Sequence, residues 1–112
     1  MHNILFICSA NKDRSKTGED YFAEKYQNLN FKSAGTNQKT CNQQGTNFIE
    51  LEQLDWADSI YVMETKHANF INQFYENKFR NKVNVLYIND IYKYNQKELI
   101  NLLKDKLEFS IL

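Results

Sequence analysis

The junction between residues 3 and 15 constrains the fold more than any other stretch. Asn3-Ile4-Leu5-Phe6-Ile7 is a short apolar run of the kind that forms a strand buried on both faces. Cys8-Ser9-Ala10-Asn11-Lys12-Asp13-Arg14-Ser15 follows at once, and a helical pattern opens at Ser15, with Gly18, Phe22 and Tyr26 on one face. A strand, a tight polar loop and a helix N-terminus make an anion site from backbone alone. Loop N–H groups point inward and the helix dipole adds positive potential. The chain holds only two cysteines, Cys8 and Cys41, and two arginines, Arg14 and Arg80. One of each brackets this loop.

The rest of the chain alternates between strand-like and helix-like segments. Strands are expected over 30–34, 58–63 and 83–88, and helices over 15–27, 64–76 and 96–108. His67, Phe70, Ile71 and Phe74 fall on one stripe of the second helix; Leu99, Ile100, Leu103 and Leu107 fall on one stripe of the third. Residues 48–56 read as a short helix at best, and 36–47, polar and containing Cys41 and Gly45, read as a long loop. This order predicts an α/β fold: a three-layer α/β/α domain over 1–112, with a four-stranded parallel sheet and right-handed crossovers. Ligands of such sheets sit beyond the carboxyl ends of the strands. The Cys8 loop and Asn89-Asp90 share that edge, so a thiol and a carboxylate distant in sequence can meet over one ligand.

Composition excludes several classes. The formal net charge is +0, without the basic excess that nucleic-acid or membrane-surface binding requires. No apolar run reaches the length of a membrane span. No signal peptide precedes the first strand, and two unpaired cysteines build no disulfide framework, so a reducing cytoplasm is the expected compartment.

The loop residues suit nucleophilic attack on phosphorus. A thiolate, not a thiol, is the nucleophile, and the setting of Cys8 favours the ionised form. Arg14 offers a planar fork matching two phosphate oxygens. Asn11 tolerates left-handed backbone angles and can brace the loop with its amide. Ser15 can donate to the sulfur or simply cap the helix. Asp90 is the best-placed acid for the departing oxygen, or else a turn residue after a strand. Tyr92 and Tyr94 can stack on an aromatic leaving group or pack locally. Lys12 and Asp13 read as solvated loop charges, His67 as a satisfied buried histidine, and Cys41 as an incidental free thiol.

Four segments carry a resemblance to a known family: 4–15, Ser33-Ala34-Gly35, Trp56-Ala57-Asp58-Ser59-Ile60-Tyr61-Val62-Met63-Glu64, and Ile88-Asn89-Asp90-Ile91-Tyr92. In that order they resemble the low-molecular-weight protein tyrosine phosphatases, above all a compact bacterial branch. The resemblance implies a phosphate-binding loop over Ser9, Ala10, Asn11, Lys12, Asp13, Arg14 and Ser15. It implies Cys8 as nucleophile, Arg14 as phosphate clamp, Asp90 as general acid and Tyr92 as a pocket wall. It also implies a phosphocysteine intermediate, a phosphotyrosine protein or aryl phosphate as substrate, phosphate or sulfate as loop ligand, and no metal or other cofactor. Lys16 and Ile91 stand where many members carry Pro, and Asp13 replaces a neighbouring loop cysteine. Two other functions fit the loop: an arsenate reductase-like thiol enzyme, and a non-catalytic phosphate- or phosphotyrosine-binding module.

Overall fold

Strand β1 (Asn3–Cys8) is buried almost throughout because it sits inside the sheet. Its side chains alternate between two cores: Ile4, Phe6 and Cys8 enter one, Leu5 and Ile7 the other. In this computed structural model, which describes residues 2–111 and side chains up to Leu107, the remaining elements follow in α/β order. They are α1 (Arg14–Lys25), β2 (Asn30–Gly35), α2 (Gln38–Gln44), α3 (Leu51–Trp56), β3 (Ser59–Val62), α4 (Thr65–Phe74), a 3-10 turn at Arg80–Lys82, β4 (Val83–Val85) and α5 (Lys97–Ile111). All strand pairs are parallel, in the order β2-β1-β3-β4. The expected three-layer α/β/α architecture is present. Among the described residues, no helix is long and apolar enough to cross a membrane.

The first core lies between the sheet and α1 with α5. The Phe6 ring meets Phe22, Phe31 and Tyr61 at centroid distances of 5.8–6.2 Å. Gly18 lets α1 approach this ring, since a Cβ there would stand 3.1 Å from it. The second core packs α3 and α4 on the opposite face, through Leu54, Ala68 and Ile71.

Two expectations fail in instructive ways. The polar segment 36–47 is not a loop throughout: it holds α2, capped by the Asn37 side chain, which accepts from Thr40 N–H, and closed by Gly45 at φ 68°. Its one apolar residue, Cys41, is fully buried, so the helix is fixed by tertiary packing and not by an amphipathic stripe. Strand β4 ends at Val85, three residues early. Leu86 and Ile88 N–H still donate to Val62 and Met63 carbonyls, but Tyr87 adopts φ 58° and breaks the extension.

The strand order places the site. From β1 the chain moves outward to β2, then crosses back to β3 on the far side of β1. Reversal of this kind opens a crevice at the carboxyl edge. The Cys8 loop emerges on one side of it and Glu64, after β3, on the other.

Candidate active site

Residues 8–15 wrap around Gly35 at the end of β2. A Cβ on Gly35 would lie 2.4 Å from the Ser9 carbonyl oxygen and 3.0 Å from the Asn11 nitrogen. Only hydrogen fits there, so the loop rests directly on β2. Asn11 takes φ 54°, which turns the chain toward α1.

The Asn11 side chain organises what lies behind the loop. Its Nδ2 donates to Ser15 Oγ at 2.9 Å and to Ser33 Oγ at 2.8 Å, and its Oδ1 accepts from Asn47 N–H at 3.1 Å. Ser33 in turn donates to Glu19. With an amide proton already on the Ser15 oxygen, its own hydroxyl proton is free for Cys8 Sγ, 3.0 Å away. The network therefore offers the sulfur a hydrogen-bond donor.

Arg14 is 1% exposed, an unusual position for a guanidinium, and two of its nitrogens meet named partners. Nη1 donates to Glu64 Oε2 at 2.6 Å and to the Ile88 carbonyl at 2.8 Å, and Nε lies 3.6 Å from Asp90 Oδ1. The left-handed break at Tyr87 precedes the Ile88 carbonyl that meets the arginine. Burial pushes the Glu64 carboxyl up, but the hydrogen bond and charge of Arg14 outweigh it, and its pKa lies below the usual carboxylate range.

Glu64 and His67 contact the loop in a way the sequence did not announce, though His67 is the satisfied buried histidine expected. Glu64 caps α4, and its N–H donates to His67 Nδ1 at 3.0 Å. The ring proton therefore sits on Nε2, which donates to Ser9 Oγ at 2.9 Å. One helix turn thus grips both ends of the loop, Ser9 through the imidazole and Arg14 through the carboxylate. The Glu-x-x-His spacing after a strand was the available signal. Burial, then repulsion from Arg14, hold the His67 pKa at about 4. Below its ordinary 6.5 the unfolded chain gains a proton that the folded chain refuses until about pH 4. Folding stability accordingly drops as pH falls through this window. Urea unfolding at pH 7.5 and pH 5 is expected to show a loss of about 2 kcal/mol, most of it absent in His67→Asn. Equal losses in both proteins would contradict this assignment.

The front of the loop faces a cavity of about 430 Å³, lined by Cys8, Ser9, Ala10, Lys12, Asp13 and Arg14 together with Asn37, Thr40, Gln44, Lys66 and Asp90. Asn11 and Ser15 lie buried behind it. Asp90 is 62% exposed at the rim. Asp13, expected as a solvated charge, is half-buried and accepts from Tyr94 N–H at 2.9 Å, tying the 89–95 loop to the start of α1. Tyr92 is half-buried against the α1/α5 core and is absent from the cavity lining. Cys41 is a free thiol, as is Cys8, but far from incidental in position. Its Sγ lies 3.6 Å from the Ala10 carbonyl and 3.8 Å from that of Ser9, directly beneath the loop.

The fold is that of the low-molecular-weight protein tyrosine phosphatases, and the chain resembles them along nearly its whole length. Vibrio vulnificus Wzb in complex with benzylphosphonate is 19% identical and aligns with a TM-score of 0.78, over 97% of this chain and 96% of its own. The tyrosine phosphatase AmsI of Erwinia amylovora is 21% identical with a TM-score of 0.76, over 98% and 91%. The YwlE arginine phosphatase of Geobacillus stearothermophilus is 19% identical with a TM-score of 0.69, over 98% and 95%. No protein-family model and no curated protein matches the sequence.

Proposed function

We propose that the protein is a cysteine-dependent phosphomonoester hydrolase acting on phosphotyrosine, in a reducing compartment such as the cytoplasm where both thiols stay free. The observation that carries this is the convergence of Cys8, Arg14 and Asp90 on one small cavity at the N-terminus of α1. A phosphoryl group seated there meets the loop amides of Ser9 to Ser15, the helix dipole and the Arg14 fork. The Cys8 sulfur attacks phosphorus. The S–P bond forms as the bond to the phenol oxygen breaks, and Asp90 gives that oxygen its proton. Water, deprotonated by Asp90, then attacks phosphorus, the S–P bond breaks and phosphate leaves.

Benzylphosphonate, bound by Wzb, has the shape of a phosphorylated aryl side chain, and AmsI is a tyrosine phosphatase. Both favour an aryl substrate. YwlE, an arginine phosphatase, makes phosphoarginine the comparison substrate. Cys41 is sealed beneath the loop among carbonyl groups, which disfavours the electron relay of an arsenate reductase.

The test compares a phosphotyrosine peptide, a phosphoarginine peptide and para-nitrophenyl phosphate. Turnover of the first and third above the second is expected; no turnover of any would contradict the proposal. Arg14→Lys keeps the charge beside Glu64 but loses the fork. Its kcat/KM on para-nitrophenyl phosphate is expected to fall by about 10²–10³. Unchanged kcat/KM would remove Arg14 from the clamp.

A further inference from the structure

The apolar stripe of α4 does not end in the core. Ala68 and Ile71 are buried, yet Phe74, on the same stripe, is 64% exposed. Its ring stacks on Phe70, with centroids 5.6 Å apart and planes 10° from parallel, and Phe70 meets Phe48 edge-on at 6.5 Å. These three rings form one wall of a groove of about 660 Å³. Ser9, Asn37 and Lys66 line both this groove and the cavity at Cys8, so the two are one continuous depression. Among the described residues, Lys66 is the only charged one along the groove.

We propose that this groove is a specificity subsite taking an apolar side chain that flanks the phosphorylated residue of a protein substrate. The inference rests on the phosphatase reading of the Cys8 site. A peptide whose phosphoryl group occupies the loop leaves the cavity over Ser9 and Asn37 and arrives on the phenylalanine wall. Aromatic rings supply contact area at low entropic cost, and an exposed one gains most from being covered. An acidic flanking residue would find a single cation and three apolar rings. A small aryl phosphate fills the cavity alone and stops short of Phe74.

Phe74→Ser removes a mostly exposed ring whose contacts are with Phe70 and Tyr75 and not with the Cys8 loop. On a phosphotyrosine peptide with Leu on both sides of the tyrosine, KM is expected to rise about tenfold with kcat unchanged. On the same peptide with Ser flanks, and on para-nitrophenyl phosphate, KM is expected to stay constant, and Phe74→Leu should retain most of the preference. Binding of both peptides to Cys8→Ser, with and without Phe74→Ser, reads the groove independently of chemistry. Absence of turnover in the wild type would therefore sink the phosphatase reading, while a Leu preference in binding that depends on Phe74 would still support the groove. Equal affinity for the two peptides, or a preference untouched by Phe74→Ser, overturns the proposal. So does sedimentation showing a dimer that Phe74→Ser dissociates, because the groove would then be filled by a second copy.

Discussion

Cys8→Ser is expected to lower kcat on aryl phosphates by at least about 10⁴-fold while leaving phosphate affinity within a few-fold of wild type. The argument is chemical and steric. Serine keeps the position and can keep the hydrogen bond from Ser15, so the loop, braced by Asn11 and by Gly35 beneath it, retains its form. What it loses is an easily ionised, polarisable nucleophile: an alcohol at neutral pH is almost wholly protonated, and among the described residues the carboxylates lining the cavity are Asp13, which accepts from Tyr94 N–H, and Asp90 at the rim. Binding, by contrast, is proposed to rest on main-chain amides and Arg14. The measurement is steady-state kinetics with phosphate inhibition of the wild type and phosphate titration of the variant. Near-normal turnover by Cys8→Ser would mean that another group attacks phosphorus.

Asp90→Asn is expected to lower kcat by about 10²–10⁴. The size of the loss depends on the leaving group. Phenol leaves poorly without a proton, so phenyl phosphate and phosphotyrosine bear the full effect; dinitrophenolate needs little help, so dinitrophenyl phosphate loses far less. The location of Asp90 suits this task. It stands at the cavity rim, mostly in water, with one oxygen 3.6 Å from Arg14 Nε. Asparagine preserves size and the contact to Arg14 but carries no transferable proton. The same experiment separates an enzyme from a phosphate-binding module: a module binds phosphate and turns over nothing, and Asp90→Asn then changes nothing. A loss equal for good and poor leaving groups would assign Asp90 to positioning Arg14.

Much of this architecture was legible in the chain. β1 stood out because a strand buried on both faces must be apolar at every position, and Ile4 to Ile7 are. The loop stood out because Cys8, Asn11, Arg14 and Ser15 each do something few other residue types can do at that place. Asp90 fell at the carboxyl edge by topology alone. What was not legible depended on contacts distant in sequence. α2 is polar apart from Cys41, and its fold depends on a thiol buried beneath a loop about thirty residues earlier. Glu64 and His67 look like an ordinary cap until Arg14 and Ser9, 50 and 58 residues earlier, arrive beside them. Tyr87 ends β4 through a backbone angle that no strand propensity announces. Periodicity put Phe74 on the apolar stripe of α4, but a period says which face a ring shares and not whether anything covers it.

The most direct measurement is a rapid acid quench of the wild type during turnover of phenyl phosphate, followed by mass spectrometry of the peptide that carries Cys8. One phosphoryl group on the Cys8 sulfur, accumulating before steady state and absent from the Cys8→Ser protein, is the predicted result. Burst-free turnover with an unmodified Cys8, or a phosphoryl group found on any other side chain, would contradict the account.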